Sequence, residues 1–177
     1  MIVLIINGAP RVGKNTFIKL LDELVNPFVE AYSSIDWVKD LARDVFDWDG
    51  TKDAKSRKML SDLKDIATAW DDIPFREVCK QIKAVKNIYK HCYFCTNIRE
   101  PQEIQKLKGW CKQQEIPCYS VWIRQEKAEQ EAAQSFTSSG DTQYQNYNYD
   151  FVIHNDLSLD DFKTEIRKLI YSIKEIA

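Results

Sequence analysis

Two kinds of hydrophobic pattern alternate along this chain: short continuous apolar runs, and longer segments in which apolar residues recur every three or four positions. Continuous runs are typical of strands buried on both faces, whereas the second pattern is typical of amphipathic helices. Their alternation predicts an α/β fold with three layers, in which helices cover both faces of a five-stranded parallel sheet. The predicted strands comprise residues 2–6, 28–32, 92–96, 118–123 and 151–154.

Six segments have the helical pattern, and the last of them is the clearest. In that segment, Asp160 and Asp161 suit the positive end of a helix, and the apolar positions that follow predict one buried face. These apolar positions are Leu159, Phe162, Ile166, Ile170 and Ile173. The predicted helices comprise residues 13–24, 35–46, 54–69, 75–85, 101–114 and 159–176.

The segment between the fourth and fifth predicted strands has neither pattern. Residues 125–148 are polar and rich in glutamine, and Gly140 lies in a run of small and polar residues. This segment is too long for an ordinary connection between two strands. It therefore predicts either an excursion over residues 124–148 that acts as a mobile lid, or a surface loop.

Composition and charge narrow the class of protein. The 177 residues are 44% hydrophobic and 29% charged, which predicts one globular domain spanning residues 1–177. The 25 Lys and Arg residues nearly balance the 27 Asp and Glu residues, so we expect no stable binding to nucleic acid and none to membranes. There is no apolar run of membrane-spanning length and no typical signal peptide, which favours a cytoplasmic protein. The CxxC at Cys92 and Cys95 lies in an apolar run and is interpreted as two buried thiols.

A phosphate-binding loop follows the first predicted strand directly. Residues 8–14 fit the pattern GxxxxGK, and an amphipathic stretch begins immediately afterwards. In such a loop Gly8 and Gly13 supply the permissive backbone, so that successive N–H groups converge on phosphate oxygens at a helix N-terminus. The predicted nucleotide-binding residues of the loop are Gly8, Ala9, Arg11, Val12, Gly13, Lys14, Asn15 and Thr16.

The basic and polar residues of the loop suggest how it handles charge. Lys14 is placed to reach the β- and γ-phosphates and to neutralise charge that develops as a phosphoryl group moves, and Arg11 adds positive charge. Asn15 occupies the position where a hydroxyl residue usually follows the lysine, and it is a candidate magnesium ligand. The alternative is a glycine turn that joins strand to helix, with Lys14 in solvent.

With these residues, the chain resembles the P-loop kinases of the bacteriophage deoxynucleoside monophosphate kinase group, and more distantly phosphomevalonate kinases. Both have an amide or acid after the GK, as in Gly13-Lys14-Asn15. Further likeness lies in residues 34–39, 56–60 and 149–156, and in residues 97–103, where Asn97 replaces the usual aspartate of the family. The resemblance implies the strand order 2-3-1-4-5, ATP and Mg²⁺ as cofactors, and a phage-encoded protein acting in a host cytosol as one source.

The resemblance also suggests where other site residues lie. Arg99 follows the third strand at the edge formed by the carboxyl ends of parallel strands, where ligands bind, although an ion pair with Glu103 is the alternative. Asn155 is a candidate for contact with the nucleotide base, or else a turn residue. The other candidates are Asp36, Lys39, Arg57 and Arg76 for the phosphate acceptor, and Arg124 and Lys127 in the lid.

These observations indicate an enzyme that transfers the γ-phosphoryl group of ATP to a small-molecule phosphate acceptor, preferably a (deoxy)nucleoside monophosphate. Lys14, Arg11 and Arg99 are the candidate catalytic residues, because an anionic acceptor needs positive charge and alignment rather than a strong base. Phosphomevalonate or another small phosphorylated metabolite is an alternative acceptor. A nucleotide-binding regulatory module without catalysis stays open, as does a homodimer.

Overall fold

The structure, a computed structural model, describes residues 1–25, 28–51, 53–135 and 143–176. Strands and helices alternate through these residues. The strands are β1 (Ile2–Asn7), β2 (Phe28–Ala31), β3 (Cys92–Asn97), β4 (Cys118–Arg124) and β5 (Phe151–His154). The helices are α1 (Lys14–Leu24), α2 (Asp36–Phe46), α3 (Ala54–Asp71), α4 (Ile73–Ile88), α5 (Pro101–Gln113), α6 (Glu126–Ser135) and α7 (Leu159–Ile176), with a short 3-10 helix at Gln143–Asn146.

The five strands form one parallel sheet in the order β2-β3-β1-β4-β5. This arrangement confirms the predicted five-stranded parallel sheet and its order. β1 lies in the centre, where Ile6 is opposite Asn97 of β3 and Asn7 is opposite Trp122 of β4. The carboxyl ends of β1, β3 and β4 therefore meet at one edge of the sheet, which we call the carboxyl edge.

Helices cover both faces of the sheet, which confirms the three predicted layers. Alternate residues of β1 face opposite sides, since successive side chains of a strand point in opposite directions. Leu4 lies in one core cluster with Phe17 of α1 and Phe162 of α7, whereas Ile5 lies in a second cluster with residues of α4 and α5. The sheet is therefore apolar on both faces, which is why the strands read as continuous apolar runs.

One helix was not predicted from the sequence. α6 occupies Glu126–Ser135, within the segment expected to be a lid or a surface loop, and Ala128 and Ala132 are buried in the cluster of α1 and α7. Two alanines four positions apart bury little apolar surface, so the helical period in this segment is weak. Residues 136–142 of the expected lid lie outside the described residues.

Two further predictions concern membrane-spanning segments and the CxxC. Within the described part of the chain, none is both long enough and apolar enough to cross a membrane. Cys92 and Cys95 are buried in β3, as the interpretation of the CxxC as interior thiols requires. Burial raises the pKa of both thiols above the ordinary value, which keeps them protonated and unreactive.

Candidate functional site

The two glycines of the loop between β1 and α1 occupy positions where a side chain would be strained. Gly8 has a φ of 139°, and a Cβ there would lie 2.3 Å from the carbonyl oxygen of Ile123. Gly13 has a φ of 96°, and a Cβ there would lie 2.6 Å from Nδ2 of Asn155. Both are backbone conformations that L side chains rarely adopt. The spacing of the two glycines is therefore imposed by close packing as well as by the turn.

Apolar residues anchor the loop between these glycines. Ala9 and Val12 are fully buried in the core cluster of α1 and α7. Arg11, between them, is exposed and has a φ of 68°, which is uncommon for a residue with a side chain. Ala9 and Val12 thus attach the loop to the core, while the side chain of Arg11 extends into solvent.

Lys14, the first residue of α1, closes over the loop. Its ammonium donates hydrogen bonds of 2.8 Å to the carbonyl oxygens of both Gly8 and Ala9. Gly13 is the N-cap of α1, no side chain caps this end of the helix, and its first turn carries no acidic residue. The N–H groups and partial positive charge of the helix N-terminus therefore lie beside the lysine ammonium, which is an arrangement suited to an anion.

Asn7 is a residue of this site that the sequence did not single out. It is fully buried at the end of β1, and its Oδ1 accepts a 2.8 Å hydrogen bond from the N–H of Gly8. Its Nδ2 donates to the hydroxyl of Tyr149 at 2.8 Å and to the carbonyl oxygen of Arg99 at 3.3 Å. One side chain thus connects the start of the loop to the residues that follow β3 and precede β5.

Asn155 contacts the loop from the other side. Its Nδ2 donates a 3.0 Å hydrogen bond to the carbonyl oxygen of Val12, and its backbone N–H donates to the carbonyl oxygen of Arg124 at 2.9 Å. Nε2 of Gln125 in turn donates to the carbonyl oxygen of Asn155. The residue predicted to lie near a nucleotide base therefore packs against the phosphate-binding loop itself.

The candidate acceptor residues are spread over four elements. Asp36 and Lys39 lie in the first turns of α2, where the ammonium donates to Oδ1 of Asp36 at 2.6 Å and the N–H of Ser33 donates to Oδ2. Arg99 follows β3 at the carboxyl edge, with an exposed side chain. Arg57 is exposed on α3, and Arg76 on α4 forms an ion pair with Asp71. Asp36 and Lys39 are the two that the structure joins directly.

Arg124, the first lid candidate and the last residue of β4, is held by Glu129 of α6. Its guanidinium donates two hydrogen bonds to the carboxylate of Glu129, at 3.1 and 2.8 Å, and lies over the ring of Trp122 at 4.7 Å. Hydrogen bonding to Glu129 raises the pKa of Arg124 above its already high ordinary value. Lys127, the second candidate, is exposed on α6. The two lid candidates therefore have different surroundings.

The polar residues at the carboxyl edge fit a magnesium ion that takes most of its ligands from phosphate and water. Oδ1 of Asn97 is buried at the end of β3 without a hydrogen-bond partner, and Asn15 is exposed next to Lys14. The described residues contain no group of three or more His, Cys, Asp or Glu side chains placed to hold a metal ion. Mg²⁺ characteristically keeps several waters and needs few protein ligands, so two amide oxygens suit it.

A cavity of about 480 Å³ opens beside the end of β3. α3, α4 and the first turn of α5 form its walls, and Asn146 of the 3-10 helix lies at one side. Ile98 and Glu100, the two neighbours of Arg99, line it as well. Because the carbonyl oxygen of Arg99 is bonded to Asn7, this cavity is joined to the start of the phosphate-binding loop.

No protein-family model and no curated protein matches the chain. Solved structures match it over nearly its whole length. The tunicamycin resistance protein of Deinococcus radiodurans superposes with a TM-score of 0.59 at 11% identity, covering 96% of this chain and 95% of that one. Shikimate kinase from Aquifex aeolicus has a TM-score of 0.55 at 13% identity and 97% coverage of each chain. APS kinase from Mycobacterium tuberculosis, in complex with AMPPNP and APS, has a TM-score of 0.51 at 15% identity, covering 96% and 97%.

At sequence identities this low, similarity between structures is evidence for the fold alone. The neighbours include kinases named for different small substrates, and one of them is solved with an ATP analogue. The sheet order β2-β3-β1-β4-β5, with helices on both faces, is the arrangement they share with this chain. The protein has the three-layer P-loop kinase fold.

Proposed function

We propose that the protein is an ATP-dependent phosphotransferase that moves the γ-phosphoryl group to a (deoxy)nucleoside monophosphate. The observation that carries this proposal is the position of the Lys14 ammonium, 2.8 Å from the carbonyl oxygens of Gly8 and Ala9 and beside an uncapped helix N-terminus. That arrangement concentrates positive charge where the β- and γ-phosphates of a nucleotide would lie. Arrival of the phosphates exchanges two carbonyl partners of the lysine for anionic ones, which are stronger acceptors.

Catalysis in this proposal consists of alignment and charge neutralisation. The acceptor phosphate is already anionic, so no general base is required, and the transferred group needs positive charge around it. Lys14 supplies this charge from one side, and Arg11 and Arg99 supply it from the loop and from the end of β3. Neither arginine is buried, so each side chain has room to move onto a bound phosphate.

Magnesium would be held by Asn15, directly or through water, and by a water bound to Oδ1 of Asn97. The chemistry that magnesium would supply there is neutralisation of the negative charge that develops on the phosphate oxygens. The buried Oδ1 of Asn97 supports this assignment, because a buried oxygen without a partner is costly unless a ligand or water satisfies it.

A monophosphate acceptor is supported by the elements between β2 and β3. α2, α3 and α4 form a long insertion between these two strands. The cavity of about 480 Å³, which is walled by α3, α4 and the first turn of α5, is large enough for a nucleoside. Asp36 and Lys39 begin the insertion, and Arg99 lies where the cavity meets the loop. The family resemblance points to the same class of acceptor.

The decisive experiment measures ADP formation from Mg-ATP with a panel of ribo- and deoxynucleoside monophosphates and phosphomevalonate. We expect turnover with one group of nucleotides, and we expect Lys14→Ala to lower kcat about 100-fold or more while the protein still melts as a folded domain. Lys19→Ala, an exposed lysine of α1, is the matched control and should leave kcat unchanged.

Other outcomes would replace the proposal with a named alternative. Turnover with phosphomevalonate alone would change the acceptor and keep the phosphotransferase. AMPPNP binding by calorimetry without turnover on any member of the panel would indicate a regulatory nucleotide-binding module. Unchanged kcat in Lys14→Ala would remove the role assigned to the loop.

A further inference from the structure

The cavity beside β3 has a lining that differs sharply from the phosphate-binding loop. Phe75, Val78 and Ile98 provide apolar walls, and Thr68 and Asn146 provide neutral polar groups. A mixed lining of this kind, with a few polar groups on apolar walls, is typical of sites for small organic ligands. The cavity is therefore suited to the organic part of an acceptor.

Carboxylates dominate the charged groups of this cavity. Asp65, Asp72, Glu100 and Glu103 line it, against a single lysine, Lys64. The ammonium of Lys64 is bonded to Oε1 of Glu100 at 2.7 Å, which leaves the other three carboxylates as the excess charge. Burial alone would raise the pKa of Glu100, but Lys64 outweighs that effect and holds the pKa below its ordinary value. The carboxylate of Glu100 is therefore ionised at neutral pH.

Lys106 of α5 offsets part of that excess from outside the lining. Its ammonium forms ion pairs with Asp72 and, at 3.5 Å, with Glu103. One ammonium cannot satisfy two carboxylates, each of which accepts several hydrogen bonds. Oδ1 of Asp72 is in fact buried without a hydrogen-bond partner. Acceptor capacity is thus left over at both carboxylates, and Oδ1 of Asp72 becomes accessible to a ligand when that side chain rotates.

A phosphate group does not fit this lining, because its negative charge would be placed among carboxylates in a partly desolvated space. The phosphate of an acceptor must instead point out of the cavity, towards Arg99. Ile98 and Glu100 flank that arginine and both line the cavity, so a molecule can place its organic end inside and its phosphate at the carboxyl edge. What the cavity itself offers is an array of hydrogen-bond acceptors.

We propose that this cavity binds the base of the acceptor nucleotide and selects bases that carry an exocyclic amino group. The inference rests on the proposed phosphotransferase function and adds the substrate class of the same site. Amino groups of cytosine, adenine and guanine donate hydrogen bonds that carboxylates accept, whereas the O4 carbonyl of uracil or thymine would face them as a second acceptor. Asp72 and Glu103 are the residues that make this selection.

The test uses pairs of substrates with nearly constant size and charge. dGMP and dIMP differ only at the amino group, whereas dCMP and dUMP differ there and in the proton at N3. We compare kcat/KM for dCMP with that for dUMP, and for dGMP with that for dIMP, in the presence of Mg-ATP. We expect the amino-bearing member of each pair to be preferred about tenfold or more, because the other member leaves an acceptor of the site without its donor.

Two isosteric variants assign the preference to residues. Asp72→Asn retains a residue that tolerates the φ of 52° at this position, and Glu103→Gln changes only the charge in the first turn of α5. Each should reduce the preference to about threefold or less, because an amide can donate to a carbonyl as well as accept from an amino group. Asp62→Asn, on α3 but outside this cavity, is the control and should retain the wild-type preference.

The outcomes separate this inference from the function on which it rests. Equal use of dUMP and dCMP by the wild-type protein would overturn the selection while leaving the phosphotransferase intact. A preference that survives in both variants would overturn the assignment to Asp72 and Glu103. Absence of turnover with every nucleoside monophosphate would overturn the proposed function and this inference together.

Discussion

Nδ2 of Asn7 lies 2.8 Å from the hydroxyl of Tyr149, a residue 142 positions further along the chain. Asn7 ends β1 and accepts the N–H of Gly8, so the hydrogen bond ties the beginning of the phosphate-binding loop to the segment that enters β5. The ring of Tyr149 also contacts Trp122 and Tyr147, with centroids 5.6 and 5.0 Å apart. The loop is therefore braced by an aromatic cluster that involves β4 and the segment that precedes β5.

Removal of this hydroxyl should loosen the loop without disturbing the aromatic packing. We expect Tyr149→Phe to lower the free energy of unfolding by about 1 kcal/mol, the usual worth of one hydrogen bond in a buried site. Urea denaturation measures this, and Tyr171→Phe, whose ring is exposed on α7, is the control. A Tyr149→Phe protein as stable as the wild type would show that the bond contributes nothing to folding.

Gly13→Ala should lower stability and nucleotide binding for two reasons, an unfavourable backbone conformation and a close contact. The new methyl group would meet Nδ2 of Asn155, which is itself bonded to Val12, and alanine disfavours the φ of 96°. We expect a loss of about 1–3 kcal/mol in unfolding free energy and weaker AMPPNP binding by calorimetry.

Gly109 provides a matched control for that substitution. It lies within α5, and beyond the backbone of that helix no atom lies within 4 Å of the place a methyl group would take, so alanine has room there. Gly109→Ala should raise stability by about 0.5–1 kcal/mol, because glycine weakens a helix interior. Similar destabilisation in both variants would mean that the close contact at Gly13 is not the cause.

The two basic lid candidates should differ in their effect on turnover. Arg124 is bonded to Glu129 and lies over the ring of Trp122. If the protein is a phosphotransferase, we expect this guanidinium to exchange the carboxylate of Glu129 for the transferring phosphate. We expect Arg124→Ala to lower kcat about tenfold or more, whereas Lys127→Ala should leave it nearly unchanged. Steady-state kinetics at saturating Mg-ATP measures both, and equal effects would assign Arg124 a structural role.

Asp150 should make stability depend on pH in acid. Its carboxylate accepts hydrogen bonds from Lys108 at 2.6 Å and from the N–H and hydroxyl of Ser120 at 2.6 and 2.7 Å. Burial alone would raise the pKa of Asp150, but these bonds outweigh it, and the pKa lies below the ordinary value. A group with a lowered pKa stabilises the fold fully above its unfolded pKa, and this contribution disappears as pH falls through the folded pKa.

We therefore expect Asp150→Asn to cost about 1–2 kcal/mol of unfolding free energy near pH 7, and the difference from wild type to shrink below about pH 4. Urea denaturation at several pH values measures it. Asp22→Asn, an exposed carboxylate on α1, should change stability little at any pH. A difference that stays constant into acid would show that the charge of Asp150 is not what stabilises the fold.

Local patterns in the sequence were sufficient to predict most of the architecture. Strands buried on both faces must be continuously apolar, and β1 and β3 are therefore visible as runs. The helices that were predicted agree with their expected bounds within about three residues at each end. α3 and α4 differ most, because only Asp72, in a left-handed conformation, separates them. α6 was missed because its buried face consists of small alanines.

The candidate site also has one part that the sequence predicted and another that only the structure showed. The sequence alone predicted the glycine loop between β1 and α1, because its two glycines and Lys14 lie at fixed spacing within one short segment. Asn7 with Tyr149, Asn155 with Val12, and the carboxylates of the cavity were decided only by the tertiary structure. Each of these joins residues from separate elements, and hydrophobic period carries no signal for a polar contact between distant segments. Burial determines which polar side chains face each other, and burial exists only once the sheet and its two helical layers have closed.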